Sequence, residues 1–347
     1  MDTPKSELRR GWTTGACATA AVKAALMRLW GGAFPDEVGI TLPRGEQPVF
    51  ALTETTEGEG WAEAGIVKDA GDDPDVTHGA LIRARVREAG EGVSFCAGEG
   101  VGMVTKPGLP IPPGEPAINP KPREMMQGVV EELAAQYGRA PNVEITISIP
   151  GGEVLAARTW NPRLGIKGGL SVLGTTGIVR PFSCSAWIAS IQRGVDVARA
   201  SGLSHVAGCT GATSEKVVQA LYDLPDHAML DMGDFAGGML KYLVKHPVKR
   251  VTIGGGIGKL TKLAQGEIDL HSGRSQVDFR RLADLLGKPD VTQMNTALEV
   301  YETYGKDMAQ AVAKAALKSV EARFGGAMQF DIVMIDRAGE IIARAGS

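Results

Sequence analysis

The sequence contains 347 residues, of which 44% are hydrophobic and 22% are charged, and its formal net charge is -3. This is the composition of a globular protein, and its length predicts two domains. The slight acidic excess argues against a nucleic-acid-binding protein, which usually carries a basic surplus. Cys17, Cys96, Cys184 and Cys209 are far apart and form no CxxC pair, so we expect reduced thiols rather than disulfides or a zinc site.

Two further patterns concern location. Residues 1–7 are polar, which predicts that no secretory signal peptide is present. No run approaches the roughly 18 consecutive apolar residues that a membrane-spanning helix needs. We therefore expect a cytoplasmic protein that binds neither membranes nor nucleic acid.

The N-terminal half predicts a mixture of strands and helices. Residues 15–30 form an Ala- and Leu-rich helix that Thr13 or Thr14 can cap. Short β-rich runs follow at 38–42, 49–54, 60–67, 80–87 and 92–96. A Gly- and Pro-rich loop at 98–122 precedes a helix at 123–137 and a strand at 143–149, and loops of this length are usually functional or disordered. We predict an α+β domain with a mixed sheet over residues 1–190.

The C-terminal half shows a regular alternation of strands and helices. Strands are predicted at 205–209, 228–231 and 250–254, and helices at 214–224, 235–245 and 258–264. This repetition implies βαβ crossovers and a parallel sheet. Further helices are predicted at 277–286, 292–304 and 307–324, followed by strand-like segments at 330–335 and 340–344 whose domain stays open. We predict a Rossmann-like α/β domain with a mainly parallel sheet over residues 191–347.

Glycine turns end two of the predicted parallel strands, and an acidic residue ends the strand between them. Ligands of α/β sheets bind beyond the carboxyl ends of strands, where an acid about 20 residues after a glycine turn can accept from ribose hydroxyls. The alternative is that the glycines are plain strand–helix turns and Asp231 caps a helix. The predicted cofactor-binding residues are Gly208, Gly211, Asp231, Asp234, Gly254, Gly256 and Gly258.

Two sharper nucleotide motifs are broken. A P-loop would need Gly in place of Ile253 and Ser or Thr in place of Leu260. The dinucleotide fingerprint GxGxxG would need Gly in place of Lys259. These departures weaken an ATPase or dehydrogenase interpretation.

Candidate acid–base groups lie in an acidic segment and in a later His-Ser pair. Asp69, Asp72 and Asp75 are predicted catalytic residues, as a general base or as a negative wall that faces a sulfonium cation. A solvated acidic turn explains the same segment equally well. His271, beside Ser272, is a further candidate, although a lone histidine is more often structural.

Basic residues recur beside glycine and proline turns. As a set they suit a ligand with many carboxylates, because arginine forks pair well with carboxylates. Taken singly, each is more simply a solvated surface charge. Thr13 and Thr14 begin a helix whose N-terminus also favours anions. The basic set consists of Arg9, Arg10, Lys106, Arg123, Lys167, Arg180 and Lys259.

Five segments in order along the chain resemble the CbiD family of cobalt-precorrin-5B C1-methyltransferases. They are GWTTGACA at 11–18, DAGDDPDVT at 69–77, VTKPGLPIPPGEPAINPKPREM at 104–125, SVLGTTGIVRP at 171–181, and IGKLTKLA at 257–264 with His271-Ser272. The chain departs from the family pattern at 208–211, which reads GCTG rather than GNYG. Gly255 stands where the family pattern VGHxGK has histidine.

The resemblance implies methyl transfer from S-adenosylmethionine to C1 of a corrinoid precursor, giving a precorrin-6A-type product. It implies a substrate with many carboxylates. The predicted substrate-binding residues therefore also include Thr13, Thr14, Thr175 and Thr176. No protein-bound metal is expected, since any cobalt arrives in the substrate. A non-catalytic corrinoid-binding module and another nucleotide-using transferase stay open as alternatives. The oligomeric state is also open, with a homo-oligomer as one option.

Overall fold

A computed structural model describes residues 8–346, so the prediction made for residues 1–7 lies outside the described part. The chain is a mixed α/β protein that divides into two compact units, one ending at Ser183 and the other beginning at Cys184. The boundary predicted at 190/191 falls inside the helix Cys184–Ala200. The described residues include no helix long and apolar enough to cross a membrane.

The N-terminal unit combines helices with short strands. Its helices are α1 (Thr14–Gly31), α2 (Pro120–Tyr137) and α3 (Gly152–Ala156). Its strands are β1 (Gly11–Trp12), β2 (Glu37–Gly39), β3 (Val49–Ala51), β4 (Glu54–Gly58), β5 (Trp61–Val67), β6 (Leu81–Glu88), β7 (Val93–Ala97), β8 (Met103–Val104), β9 (Val143–Ser148), β10 (Ile166–Lys167) and β11 (Ile178–Val179).

The main sheet of this unit has the strand order β4-β5-β6-β9-β7. Its neighbours are antiparallel except β7 and β9, which run parallel, so the sheet is mixed as predicted. Helix α1 packs against β5, β6 and α2. Alternate residues of β6, including Ile82 and Val86, face this core, as expected of strands with one buried face. The core fixes where α1 begins, and therefore where the surrounding loops meet.

The C-terminal unit contains most of the helices. They are α4 (Cys184–Ala200), α5 (Ala212–Tyr222), α6 (Ala236–Lys245), α7 (Ile257–Ala264), α8 (Phe279–Leu286) and α9 (Ala297–Phe324), with 3-10 helices at Asp226–Ala228 and Pro289–Gln293. The strands are β12 (His205–Cys209), β13 (Met229–Leu230), β14 (Arg250–Gly255), β15 (Gln329–Ile335) and β16 (Ile341–Ala345).

The sheet of this unit has the order β13-β12-β14-β15-β16. The first four strands are parallel, and β16 closes the edge as the antiparallel partner of β15. The terminal hairpin therefore belongs to this sheet. Helix α5 shares a core with Cys209 and Val333, whereas Val206 and Ile332 join the core of α6, α7 and α9. Consecutive residues of a strand face opposite sides, so helices cover both faces.

Two predicted elements differ from the structure. The break predicted between the helices at 292–304 and 307–324 is present: Gly305, with φ 58° and ψ -142°, is not helical, so α9 consists of two helical segments joined at a kink. Helix α9 begins only at Ala297, where Thr296 accepts a hydrogen bond from the Glu299 amide at 3.1 Å. The run predicted as one strand at 49–54 divides into β3 and β4.

Candidate functional site

Three segments that resemble the family meet around the start of α1. The Thr13 amide donates to the Gly177 carbonyl at 2.9 Å, and the Gly15 amide donates to the Leu173 carbonyl at 3.0 Å. The Trp12 amide donates to the Asp69 carbonyl at 2.7 Å. Strands β1 and β11 pair antiparallel across this junction. Segments far apart in the sequence thus form one loop cluster, residues 9–15, 69–79 and 171–182.

Glycine makes this close approach possible. A Cβ atom on Gly11 would lie 2.0 Å from the Ala70 carbonyl carbon, and one on Gly174 would lie 2.2 Å from Thr13 Oγ1. Gly174 also has a φ of +135°, which other residues rarely adopt. The glycines of these segments therefore have a packing reason that does not require a ligand.

The predicted acidic residues hold the loop cluster together. Asp69 forms a two-pronged ion pair with Arg9, one prong of which is Nη2–Oδ1 at 2.9 Å. The hydrogen bonds from Arg9 and from the Gly71 amide lower the pKa of Asp69 to about 2. Asp72 Oδ2 accepts from the Arg9 amide at 2.6 Å. Asp73 Oδ1 accepts from the Phe182 amide at 2.9 Å.

Asp75 pairs with a buried lysine. Lys68 is only 2% exposed, and it donates to Asp75 and to the Thr77 hydroxyl. Asp75 Oδ1 also accepts from the Thr77 amide at 2.8 Å. Burial by itself would raise the pKa of Asp75, but the Lys68 charge and the Thr77 hydrogen bonds outweigh it and lower the pKa. Asp75 therefore stays ionised and serves as the counter-ion of a buried ammonium group.

The predicted basic residues fall into two groups. Arg9 is occupied by Asp69, and Arg123 donates to the Ile118 carbonyl at 2.9 Å and to Glu115 at 3.2 Å. In contrast, the side chains of Arg10, Lys106, Lys167 and Arg180 form no hydrogen bond or ion pair with any residue of the described range 8–346. Arg10 precedes Gly11 and Arg180 follows Val179, its ladder partner, so both cations flank one end of the β1–β11 ladder.

The predicted threonines also differ from one another. Thr13 Oγ1 caps α1 by accepting from the Ala16 amide at 3.2 Å, and Thr14 is 4% exposed at the first turn of that helix. Thr176 Oγ1 bonds to the backbone of Ile178. Thr175 is exposed and lies in the same segment as Arg180. Only Thr175 of these four combines exposure with an unbonded hydroxyl in the described residues.

A second candidate site is a cavity of about 490 Å³ in the C-terminal unit. It lies at the carboxyl ends of β12, β14 and β15. Its lining comes from residues 210–214, 256–259, 296–298, 335–337, Tyr301 and Ile342. This volume is within the usual range of small-molecule pockets, and the location is where α/β sheets bind ligands.

Some of the predicted cofactor-binding residues line the cavity and others do not. Gly211, Gly256 and Gly258 line the cavity. Gly208 and Gly254 lie behind it in the strands, where a Cβ would come within 2.4 Å of Met239 and 2.7 Å of Cys209. Asp231 and Asp234 follow β13 in the chain, and neither is among the described residues that line the cavity.

Lys259 connects the turns around the cavity. Its ammonium group donates to the Thr210 carbonyl at 3.0 Å and lies 2.8 Å from Asp234 Oδ1. Gly255 has no side chain, and a Cβ there would lie 2.7 Å from Thr210 Oγ1. Thr210 therefore fills the space that a larger residue at position 255 would take.

His271 lies in an exposed loop outside the cavity wall. Its Nδ1 accepts from the Gly273 amide at 3.0 Å. The buried Lys262 donates to the Leu270 carbonyl at 2.7 Å and holds this loop, and burial lowers the pKa of Lys262. The described residues contain no group of three or more His, Cys, Asp or Glu side chains placed to hold a metal ion.

Sequence reasoning missed the cavity residues that come from α9 and the β15–β16 turn. Leu298, Tyr301, Asp336 and Arg337 all line the cavity. The available signal was Asp336, which directly follows a strand-like apolar run. The run and the next one read as a hairpin, so the sequence did not indicate that β15 is also a parallel neighbour of β14.

Comparisons with known proteins agree with the motifs. Residues 1–181 match the family model described as CbiD, and residues 269–346 match the one described as CbiD, C-terminal domain. The chain is 60% identical to the cobalt-precorrin-5B C(1)-methyltransferase of Brucella anthropi, over 98% of this chain and 96% of that protein. It is 59% identical to the protein of the same name from Brucella canis, with the same coverage.

A crystal structure of a cobalamin biosynthesis protein (cbiD) from Archaeoglobus fulgidus is 24% identical, with a TM-score of 0.42, and covers 86% of this chain and 85% of that chain. The family models and the curated relatives together span both units. The chain belongs to the CbiD family.

Proposed function

We propose that the chain is a methyltransferase that transfers a methyl group from S-adenosylmethionine to C1 of cobalt-precorrin-5B, giving a precorrin-6A-type product. The observation that carries this proposal is the 60% identity, over nearly the whole chain, to a relative with that name. A metal-free precorrin-5-type corrinoid is the alternative substrate. The nucleotide-using transferase and the non-catalytic binding module are not favoured.

The cavity of the C-terminal unit is the proposed donor site. When bound, the sulfonium donor supplies an already activated methyl group, so the protein mainly has to align it. Gly211, Gly256 and Gly258 line the cavity without side chains, and they allow a ligand to approach the backbone closely. Gly208 and Gly254 support the site from behind by keeping strands and helices in contact.

The free cations of the N-terminal unit are the proposed ligands of substrate carboxylates. Arg10 and Arg180 place two guanidinium groups at one end of the β1–β11 ladder, without carboxylate partners among residues 8–346. Lys167 pairs with Met103 at one end of the β8–β10 ladder, and Lys106 follows the other end. Corrinoid precursors carry several carboxylate arms, which such unpaired cations can bind. Arg9 and Arg123 instead maintain the loops.

The hydrogen bonds that each side chain already makes decide which residues are proposed for acid–base roles. We infer that Asp69, Asp72 and Asp75 hold the loop cluster, because each accepts hydrogen bonds from the chain itself. A carboxylate with a pKa of about 2, such as Asp69, is a weak base at neutral pH. If a proton has to move, His271 is the proposed group, since Nε2 binds no described residue.

We also interpret the C-terminal unit as a Rossmann-like domain. The parallel order β13-β12-β14-β15 and the helices on both faces support this interpretation. The N-terminal unit is the α+β domain of the proposed two-domain organisation.

The test of this function is turnover. The purified chain should be incubated with S-adenosylmethionine and a precorrin-5-type corrinoid, with and without cobalt. Mass spectrometry should find one added methyl group per corrinoid, with an equal amount of S-adenosylhomocysteine. Corrinoid binding without formation of S-adenosylhomocysteine would support the binding module instead.

The cation set has its own test. Arg10→Gln and Arg180→Gln should each weaken corrinoid binding, and the affinity should fall as salt rises, because exposed pairs are screened. Arg139→Gln is the control, since Arg139 follows the C-terminus of α2, about 27 Å of helix from its start. Equal binding by all three variants would contradict the role proposed for the cation set.

A further inference from the structure

The cavity lies beside the point where the order of the strands in the sheet reverses, between β12 and β14. The chain leaves β12 toward β13 and later leaves β14 toward β15, so the connections after β12 and β14 diverge. Ligands of open α/β sheets bind at such a switch point. The cavity extends from there toward β15 and includes Asp336 and Tyr301. An acidic group that contacts a nucleoside there is best supplied from the β15 side.

Of the acids on the β13 side, Asp234 is already engaged by a cation. The Asp234 carboxylate lies 2.8 Å from the Lys259 ammonium group. The backbone carbonyl of Asp231 accepts from the Trp187 indole at 2.8 Å, which holds this residue against α4. Neither residue belongs to the cavity wall. The spacing in sequence suggested that Asp231 or Asp234 contacts the ribose, but the acid that reaches the cavity wall is Asp336.

Asp336 has the features that a ribose acceptor needs. Its Oδ1 accepts from the Ala338 amide at 2.9 Å and from the Glu340 amide at 2.8 Å, which fixes the carboxylate in the β15–β16 turn. No residue between 8 and 346 donates a hydrogen bond to Oδ2 or forms an ion pair with Asp336. A fixed carboxylate in a cavity wall thus retains one oxygen that can accept from a ligand.

The rest of the wall suits an aromatic base. Tyr301 contributes a ring, and Ile257, Ile335 and Ile342 contribute apolar surface. Ligand sites of this kind combine a mainly apolar wall with a few placed polar groups.

Resting on the proposed function, we propose that Asp336 accepts hydrogen bonds from the ribose hydroxyls of the adenosyl donor, with the nucleoside against Tyr301. The donor would then lie toward β15, and Asp231 and Asp234 would have no direct contact with it. Asp336 becomes the residue that selects a ribose-bearing ligand in this site.

The experiment measures binding of S-adenosylhomocysteine and of 5′-methylthioadenosine by calorimetry. The second ligand keeps the nucleoside and lacks the amino-acid part. Asp336→Asn should weaken both ligands by about ten-fold or more, because a hydrogen bond to a charged group is lost. The amide oxygen of Asn can still accept from the two turn amides, so the thermal unfolding midpoint should change little.

Asp226→Asn is the matched control. Asp226 is an acid of the same unit outside the cavity, and its replacement should leave both affinities unchanged. The double variant Asp231→Asn/Asp234→Asn should weaken binding less than Asp336→Asn does. If Asp336→Asn fails to fold, Tyr301→Leu keeps the location testable, since loss of the ring should weaken 5′-methylthioadenosine several-fold.

Three results would overturn the assignment. One is wild-type affinity of the folded Asp336→Asn variant, or of Tyr301→Leu where that variant replaces it. Another is a larger loss in the Asp231/Asp234 double variant. The third is a loss limited to S-adenosylhomocysteine, which would move the contact to the amino-acid part. If the wild-type chain bound neither ligand and released no S-adenosylhomocysteine with corrinoid, the proposed function itself would fail.

Discussion

The loop cluster of the N-terminal unit and the cavity of the C-terminal unit use their polar groups differently. In the loop cluster, the chain itself binds both carboxylate oxygens of Asp69 and of Asp75, and Asp72 accepts from the Arg9 amide through one oxygen. In the cavity wall, Asp336 keeps a carboxylate oxygen that no described residue binds, and bare glycines expose their backbone. A dense run of carboxylates therefore marks a scaffold at least as readily as it marks a reacting centre.

The difference has a physical origin. Loops that meet without extensive secondary structure leave backbone amides that need acceptors, and nearby carboxylates provide them. At the edge of a parallel sheet, the strands and helices already satisfy most backbone groups. Asp336, at that edge, accepts from two turn amides through one oxygen, and its other oxygen remains available for a ligand.

The strongest way to break the loop cluster is to remove its buried cation. Lys68→Met leaves Asp75 without its counter-ion, and breaking a buried pair in this way should cost about 3 kcal/mol of the free energy of unfolding. Urea unfolding measures this loss. Lys121→Met removes an exposed pair with Glu124 and should cost less than about 1 kcal/mol. Similar losses in the two variants would show that Lys68 is not structural.

A smaller disturbance is a methyl group at the point where the segments touch. Gly11→Ala places Cβ 2.0 Å from the Ala70 carbonyl carbon, so the two segments must separate, at a cost of about 1–3 kcal/mol. Gly128→Ala is the control, because no atom lies within 4 Å of its Cβ. Inside α2 that change should stabilise by up to about 1 kcal/mol. Thermal or urea unfolding should distinguish the two variants. Equal stability of both would contradict the packing role of Gly11.

Two glycine substitutions near the cavity should have separate effects, one on stability and the other on ligand binding. Gly254→Ala brings Cβ within 2.7 Å of Cys209 and Val218, and it should cost about 1–3 kcal/mol of stability. Gly258→Ala meets no atom within 4 Å, so the fold should tolerate it. It lines the cavity, and we expect it to weaken S-adenosylhomocysteine binding several-fold in calorimetry. Unchanged binding would place the donor away from α7.

The smallest expected effect is the pH dependence of the Arg9–Asp69 pair. The pKa of Asp69 in the folded chain is about 2, below its ordinary 3.8. The folded state therefore binds fewer protons, and the stability it gains above pH 4 is lost as the pH falls toward 2. The pair is exposed, so the gain should be below about 1 kcal/mol.

Urea unfolding of the wild type and of Asp69→Asn should measure this. The difference between the two chains should shrink between pH 5 and pH 2. A difference that grows on acidification would contradict the assigned direction of the pKa.

Much of the fold could be predicted from the sequence, because its signals are local. Thr13 caps α1 as expected, and the apolar runs at 205–209 and 250–254 form adjacent parallel strands. These features depend on side-chain periodicity and capping within a few residues. The motif segments also indicate the CbiD family without any knowledge of contacts in space.

Tertiary structure alone decided which distant groups meet. The parallel pairing of β7 with β9, and of β15 with β14, involves segments whose sequences carry no signal of their neighbours. The second pairing brings Asp336 to the carboxyl edge of the sheet, while Asp231 and Asp234, at the expected spacing, lie outside the cavity wall. Sequence spacing fixes distance along the chain, but strand order fixes distance in space, and only the packed sheet sets that order.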